Sequence, residues 1–240
     1  MMRKARLCKD ERGKIDMASW MIHLRIADEL LVRLRQIDET AFVMGNIAPD
    51  SGVPNADWTQ FHPPKAITHF QKKTESGKRI DVDSFCKRYF NQNLVSTYSV
   101  KEYSFFLGYY LHLLTDVRWT ETILSGLKRD YPKAYAENKN RLIETAKEDW
   151  YDLDFLYLEK NPGFKAFSVY ENAIGFDNEF MDMFSRDAFD NRRQYICGFY
   201  HSEEHGDLYR EYKYLTWDQA DAFVKDTSKW LLQQSNGYLR

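Results

Sequence analysis

The stretch Phe105-Phe-Leu-Gly-Tyr-Tyr-Leu-His-Leu-Leu-Thr-Asp-Val-Arg-Trp119 decides the fold class of this chain. It is almost entirely apolar and aromatic, and the capping-box pattern Ser99-Val-Lys-Glu102 stands just before it. Together these segments predict a buried helix that runs to about Leu124. His112 and Asp116 are four residues apart in it, so their side chains lie on one face of the helix.

Burying these two polar groups among aromatic and leucine side chains costs roughly 2 kcal/mol or more per group unless their polar atoms find partners. A divalent metal would provide a partner for both, because neutral imidazole and carboxylate are good zinc ligands. A hydrogen-bonded His–Asp pair that joins two helices would also do so. The fragment alone leaves both interpretations open.

Most of the remaining chain also has a helical pattern. Apolar residues recur at helical spacing from Met17 to Leu34, with His23 on the apolar face and Ser19 or Asp16 as the predicted cap. Further predicted segments are a short helical or extended piece at 41–48, and helices at 132–161, 187–200 and 216–234. No strand-period alternation persists, so the prediction is an all-α fold in a single multi-helix domain.

The composition limits the classes of partner and compartment. Lys and Arg total 34 against 36 for Asp and Glu, a formal charge of −2 that gives no support for non-specific binding to duplex DNA or an anionic membrane. The isolated cysteines Cys8, Cys86 and Cys197 fit a reducing compartment. No apolar run approaches the ~20 residues of a transmembrane helix. We therefore predict a cytoplasmic protein.

Two segments differ from the helical pattern. Residues 1–16 are charged throughout and are predicted to be a disordered leader before the helical domain of residues 17–240. Between Pro49 and about Arg79 the chain is irregular and holds four of the six prolines, together with Trp58, Phe61 and His69. A stretch so rich in aromatic residues is not typical of a disordered linker, so we predict a long loop packed over a cleft.

Three motifs now occur in order, namely Phe42-Val-Met-Gly-Asn-Ile-Ala-Pro-Asp50, Thr68-His-Phe70 and Leu107-Gly-Tyr-Tyr-Leu-His-Leu-Leu-Thr-Asp116. From about Trp20 to Trp119 the chain resembles the zinc-dependent phospholipase C family. The all-helical fold of that family is shared with the single-strand-specific zinc nucleases. The order of the motifs and the His-x3-Asp spacing make the resemblance specific.

The resemblance implies a role for each matching residue. His23 would bind one zinc ion, and His69 and His112 would bind a second. Asp116 would bridge the two metals, and Asp50 would orient or deprotonate the attacking water. This agrees with the chemistry of a pair of metals, which can share a carboxylate and lower the pKa of a bridging water.

The chain departs from the family at the third zinc, which other members hold with further histidines and a carboxylate. No histidine occurs between His112 and His201, so the third site is predicted to be absent or rebuilt, leaving two zinc ions. Asp149 lies on an apolar stripe and is a candidate for an additional metal ligand. The alternative is that Asp149, Asp152 and Asp154 form a solvated face or pair with lysines.

A second departure concerns the first metal site. Secreted family members use the N-terminal tryptophan as a zinc ligand, through its amine and its carbonyl. Trp20 precedes His23 by three residues but is internal in this chain, so only its carbonyl is a candidate ligand. His201 and His205 have ligand spacing as well, but they stand in a highly polar segment and are predicted to be surface residues.

The predicted function is therefore a metal-dependent phosphoric-ester hydrolase, a phospholipase C-like phosphodiesterase that uses a metal-bound water on a small or lipid-like phosphate ester. One alternative is a zinc nuclease or nucleotidase that stacks bases on aromatic side chains. Another is a degenerate, non-catalytic metal-binding domain. The basic residues Lys72, Lys73, Lys78 and Arg79 follow His69 and could meet a phosphate group, although such a run is usually only solvated.

Overall fold

A computed structural model describes residues 17–56, 60–75, 77–202 and 204–235. Over these residues the α-helices are α1 (Trp20–Leu31), α2 (Glu39–Ile47), α3 (Lys65–Thr68), α4 (Val82–Tyr89), α5 (Gln92–Val95), α6 (Val100–Trp119), α7 (Ser125–Asp130), α8 (Pro132–Lys160), α9 (Lys165–Asn172), α10 (Ala188–Tyr200) and α11 (Trp217–Ser235). The antiparallel strand pairs are β1 (Val53–Pro54) with β2 (Phe61–His62) and β3 (Gln71–Thr74) with β4 (Gly77–Ile80). The all-α prediction is confirmed.

The predicted helix starts are confirmed where the cap residues lie in the described part of the chain. The Ser19 hydroxyl accepts the Ile22 N–H at 3.3 Å and caps α1; the alternative cap, Asp16, lies outside the described residues. Ser99 and Glu102 form the complete capping box of α6. A π-helix, Thr120–Leu124, continues α6 to the predicted end. Each cap satisfies N–H groups that a helix start would otherwise leave unpaired.

Helix α6 is the buried centre of the fold, and α2 packs along it at very short range. A Cβ atom at Gly108 would lie 2.2 Å from the carbonyl oxygen of Phe42, and one at Gly45 would lie 2.1 Å from that of Phe105. Only glycine at both positions allows the two backbones to approach so closely. This contact places the end of α2, and the turn that follows it, beside the polar face of α6.

The core around α6 is strongly aromatic. Phe85 and Tyr109 stack at 5.0 Å between ring centroids, and Phe105 stacks on Phe180 at 4.0 Å. Such pairs add to the stabilisation that comes from burial of apolar area. The largest fully buried side chains include Trp119, Tyr103, Tyr109, Tyr170, Phe42, Phe85, Phe90, Phe105 and Phe189.

The stretch predicted as a long irregular loop contains more regular structure than expected. It begins with a 3-10 turn, Ala48–Asp50, and includes both strand pairs and the single-turn helix α3. Strands of two and four residues are too short to show a persistent alternation, which explains why the sequence pattern missed them. Trp58 lies outside the described residues.

The long helix predicted from Pro132 to Asn161 is α8, but it is broken at Asn138, where φ is −160° and ψ is 88°. The Asn138 side chain accepts the Arg141 N–H at 3.0 Å, so it caps the part of the helix that follows the break. Within the described ranges, no helix is both long and apolar enough to cross a membrane.

Candidate metal centre

The structure brings together the five residues predicted to carry the chemistry, although they come from four different elements. His23 lies on α1, Asp50 ends the 3-10 turn after α2, His69 is the C-cap residue of α3, and His112 and Asp116 lie on α6. The four side chains other than Asp50 have 0% exposure, and Asp50 has 5%. Removing these polar groups from water costs free energy, which hydrogen bonds, ion pairs or a bound metal must offset.

The two oxygens of the Asp116 carboxylate contact different histidines. Its Oδ1 is 3.3 Å from His23 Nε2 and accepts the backbone N–H of Ala18 at 3.1 Å. Its Oδ2 is 3.2 Å from His112 Nε2 and 3.6 Å from His69 Nε2. The rings of His23 and His112 stack on each other at 3.8 Å between centroids. Each oxygen therefore has its own histidine, an arrangement that suits a carboxylate shared by two metal ions.

A backbone carbonyl fixes the position of one proton on His112. His112 Nδ1 lies 2.7 Å from the Asn46 oxygen. A carbonyl only accepts hydrogen bonds, so this Nδ1 carries a proton, and the lone pair of Nε2 points into the cluster when the ring is neutral. This is the usual outer contact of a metal-binding histidine. His69 Nδ1 lies 3.2 Å from the Lys65 oxygen, which accepts, and 2.9 Å from the Thr68 hydroxyl, which can donate, so both tautomers of His69 find a partner.

Two groups of side chains have ligand atoms that all lie within 4.8 Å of one another, namely His23–His112–Asp116 and Asp50–His69–His112. Over the described chain, both ring nitrogens of His23, Asp50 Oδ1 and Asp116 Oδ2 are buried without a hydrogen bond of regular geometry. Imidazole and carboxylate are the donor types that zinc prefers. The residues present therefore fit zinc, which would satisfy His23 Nε2, Asp50 Oδ1 and Asp116 Oδ2.

The electrostatics of the cluster favour the metal-binding protonation states of His23, His69 and Asp116, whereas those around His112 favour its protonated form. Burial lowers the pKa of His23, and it lowers the pKa of His69 to about 4. Burial alone would raise the pKa of Asp116, but His112 and His23 outweigh this effect and lower the pKa. Burial alone would lower the pKa of His112, but Asp116 outweighs this effect and raises the pKa. Two neutral imidazoles next to an ionised carboxylate form a ready metal-ligand set.

Lys65 is a functional residue that the sequence analysis missed. Its Nζ lies 3.2 Å from Asp50 Oδ1, and its side chain is only 14% exposed. Burial raises the pKa of Asp50, but Lys65 and the neighbouring histidines outweigh it and lower the pKa to about 2. A detectable signal was present, because Lys65 precedes His69 by four residues and so lies on the same helical turn.

Arg192 on α10 is a second residue that the sequence analysis missed. It is 6% exposed, and its Nη2 donates to the Gly52 carbonyl at 2.6 Å. Because Gly52 stands two residues after Asp50, this bond ties the turn that carries Asp50 to the opposite side of the fold. The local sequence around Arg192 contains no pattern that predicts this long-range contact.

A pocket opens beside Asp50 and Lys65, and its walls come from the start of α1 and the middle of α8. Its other lining residues are Met17, Ala18, Ser19, Trp20, Lys147, Trp150 and Tyr151. The Trp20 ring packs edge-on against Tyr195 at 5.9 Å. The structure thus places Trp20, a candidate ligand through its carbonyl, on the pocket wall.

Asp149, the other candidate for an additional metal ligand, contacts an arginine instead. Its Oδ1 accepts from Arg210 Nη1 at 2.6 Å, and Arg210 Nη2 donates to Asp152 at 2.9 Å. Asp149 also accepts the backbone N–H of Tyr214. These acids are buried and do not form the solvated face that was one expectation. The contacts of Arg210 with Asp149 and Asp152 join α8 to the segment before α11.

His201 and His205 are exposed, as predicted. His201 contacts Glu171, and His205 Nδ1 lies 2.8 Å from the Gly206 oxygen. Neither belongs to the ligand groups found in the described ranges.

Comparison with known proteins agrees with the geometry. Residues 22–119 match the family model described as zinc dependent phospholipase C, and this range contains His23, Asp50, His69, His112 and Asp116. No curated protein and no solved structure gives a significant match to the chain. The match covers residues 22–119, the part of the chain that carries the whole candidate metal centre, and this part is similar to the zinc-dependent phospholipase C family.

Proposed function

We propose that this protein is a zinc-dependent hydrolase of phosphoric esters, a phosphodiesterase of the phospholipase C type. The observation that carries the proposal is the Asp116 carboxylate, whose Oδ1 lies 3.3 Å from His23 Nε2 and whose Oδ2 lies 3.2 Å from His112 Nε2. Asp50 lies next to the same cluster and lines the pocket. A metal-ligand set and a carboxylate open to a pocket are the parts that ester hydrolysis needs.

His23 and Asp116 would hold one zinc ion, and His69 and His112 would hold a second, with Asp116 shared between them. Zinc bound there would lower the pKa of water and stabilise the negative charge that develops on the phosphate. The protein residues keep the ligands in place, since the Asn46 carbonyl contacts Nδ1 of His112, and the Lys65 carbonyl and the Thr68 hydroxyl contact Nδ1 of His69. The pair of ions and these ligand assignments are part of the proposal.

Asp50 would orient the attacking water. Lys65 lies 3.2 Å from its Oδ1, and the pKa of Asp50, lowered to about 2, keeps the carboxylate ionised at neutral pH. An ionised carboxylate accepts a hydrogen bond from water and fixes the direction of its lone pair. A base with so low a pKa takes up a proton only weakly, so orientation is the role that these contacts favour.

The pocket beside Asp50 would seat the substrate. Lys65 and Lys147 provide positive charge near the scissile phosphate, while Trp20 and Trp150 provide apolar walls. Cationic and aromatic groups together suit a phosphate ester that also carries an apolar part. A small or lipid-like phosphate ester is therefore the proposed substrate class.

The test is hydrolysis of a bis-aryl phosphodiester, a phosphocholine ester and single-stranded DNA by the zinc-loaded protein. The proposal expects hydrolysis of a phosphodiester, and Asp50→Asn should lower kcat by about 100-fold or more. Asp226→Asn is the matched control, because Asp226 is an exposed carboxylate on α11, and it should leave kcat unchanged.

Each alternative function has its own outcome. Cleavage of DNA alone would replace the proposal with the nuclease interpretation. Zinc binding without hydrolysis of any of the substrates would support the non-catalytic metal-binding domain. Unchanged kcat in Asp50→Asn would show that the role assigned to Asp50 is wrong.

A further inference from the structure

The β3–β4 hairpin begins two residues after His69 and is anchored next to the metal centre. The Asp81 N–H donates to the Phe70 carbonyl at 2.8 Å and closes the base of the hairpin. Ile80, the last residue of β4, is buried in the core, whereas Lys73, Lys78 and Arg79 are exposed. The hairpin is therefore a charged projection with a fixed base close to the candidate active site.

The hairpin pairs like charges directly across its strands. Lys72 is opposite Arg79, and Lys73 is opposite Lys78. Because successive residues of a strand point to opposite faces, each face of the hairpin carries one pair of cations. Like charges directly opposite each other destabilise a strand pair. A two-stranded sheet is already marginal, so this arrangement needs a compensating function.

Nearby acids neutralise one face much more than the other. Lys72 forms an ion pair with Asp81 at 2.7 Å. Glu75 stands at the turn, but within the described ranges the ammonium groups of Lys73 and Lys78 have no carboxylate within 4.0 Å. The Lys73–Lys78 face therefore has an excess of positive charge that an external anion could neutralise.

Protection of the sheet edge does not explain why these four side chains are all positively charged. Charged side chains on short exposed strands prevent pairing with other chains. A mixture of acidic and basic residues would protect the edge equally well, and it would replace the cross-strand repulsion with attraction. Four cations in register instead indicate an anionic partner.

We propose that the β3–β4 hairpin docks the protein on an anionic lipid surface and thereby presents the metal centre to membrane-borne substrate. This proposal rests on the proposed lipid-like phosphate ester. None of the described residues of the hairpin is aromatic, so it lacks the stacking groups that single-stranded nucleic acid requires. Ile67 on the adjoining helix α3 is 52% exposed and adds an apolar contact of the kind that a bilayer interface accepts.

The formal charge of −2 for the whole chain does not oppose this docking. Attraction between basic residues and anionic headgroups falls off within a Debye length, about 10 Å at 0.1 M salt. The local charge of the projecting hairpin therefore decides the interaction, whereas charges on distant helices contribute little.

The test is sedimentation of the full chain with vesicles of phosphatidylcholine alone and with vesicles that contain one third phosphatidylglycerol. The wild type should bind only the mixed vesicles, and added salt should weaken the binding. Each basic residue near such a surface contributes about fivefold to the partition, so Lys73→Glu/Lys78→Glu should lower binding by at least about 25-fold. The charge-matched control is Lys133→Glu/Lys139→Glu, both exposed on α8, which should bind like the wild type.

A single variant separates docking from a purely structural role. Lys78→Glu places a carboxylate opposite Lys73, so it should raise the thermal midpoint while it lowers vesicle binding by about fivefold or more. Equal binding to both kinds of vesicle, undiminished binding of the double variant, or binding to single-stranded DNA in place of vesicles would overturn the proposal. Hydrolysis of a soluble phosphodiester is measured separately, so loss of docking and failure of the proposed chemistry are distinguishable.

Discussion

His69 and His112 face each other with their Nε2 atoms 3.2 Å apart, while His112 donates its Nδ1–H to the Asn46 carbonyl. When both rings are neutral and carry their proton on Nδ1, two lone pairs point at each other inside a site that excludes water. A cation between the rings or beside them turns this repulsion into attraction. The pair is therefore a structural reason to expect that folding and metal binding are coupled.

This coupling predicts how stability depends on pH at the cluster. The pKa of His69 is lowered to about 4 by burial, so the folded protein resists protonation while the unfolded chain takes up a proton near pH 6.5. Stability contributed here is present above pH 6.5 and is lost as the pH falls towards 4. Acid also releases zinc, which acts in the same direction.

Urea unfolding of the zinc-loaded protein at pH 7 and pH 5, with and without a chelator, measures both effects. The midpoint should fall when the chelator is added at pH 7, and the chelator should lower it less at pH 5, where acid has already released zinc. A midpoint that does not respond to the chelator at either pH would contradict a metal bound by these histidines.

Asp154 should give the opposite pH dependence. It accepts hydrogen bonds from Ser19 and Tyr200, both at 2.9 Å, and burial raises its pKa to about 7. The folded state therefore binds a proton that the unfolded chain has released above pH 4, and stability falls as the pH rises from about 4 to 7. The contribution is about 4 kcal/mol at most.

Asp154→Asn removes this ionisation and keeps a polar group of similar size. As the pH rises from 4 to 8, the unfolding free energy of the variant should fall less steeply than that of the wild type. Outside this pH range the two curves should have the same slope. Parallel curves for the two proteins would show that Asp154 ionises normally in the fold.

Lys65 should keep Asp50 ionised down to a pH at which other groups limit activity. Lys65→Met removes the ammonium group 3.2 Å from Asp50 Oδ1, so the pKa of Asp50 should rise from about 2 towards its usual value or beyond. The acid limb of kcat/KM against pH should then move to higher pH. Lys65→Arg keeps the positive charge and should move the acid limb much less. An unchanged acid limb in Lys65→Met would show that Lys65 does not control the ionisation of Asp50.

The close contact between α2 and α6 should not tolerate a methyl group. In Gly108→Ala the new Cβ would lie 2.2 Å from the Phe42 carbonyl oxygen, and backbone atoms on both sides resist displacement. We expect a loss of about 2 kcal/mol or more in unfolding free energy. Gly198→Ala on α10 is the control, because a Cβ there meets nothing within 4 Å; equal stability of both variants would contradict the packing described.

The sequence was sufficient to predict the long helices and the residues that the candidate metal centre brings together. Apolar periodicity and capping boxes such as Ser99–Glu102 are local signals, and the structure follows them closely. His23, His69, His112 and Asp116 were recognisable because each is a polar residue in an apolar or motif-like setting. The shorter helices, such as α4 and α9, have too few residues to show a clear period and were not predicted.

Contacts between distant segments could not be predicted in this way. Arg210 reaches Asp149 and Asp152 across about sixty residues of sequence, and Arg192 reaches Gly52 across an even larger separation. A single sequence contains no periodic or capping signal for such pairs, since they depend on how the helices pack. For the same reason the acids of α8 were candidate metal ligands until the structure placed an arginine between them.

The most direct test of the central claim is the zinc content of the purified chain, measured by elemental analysis together with that of Asp116→Asn. Asp116 faces His23 with one oxygen and His112 with the other. We therefore expect about two zinc ions per wild-type chain and almost no zinc in the Asp116→Asn chain. Asp226→Asn should retain the wild-type content. A wild-type chain without zinc, or an Asp116→Asn chain with undiminished zinc, would contradict the account.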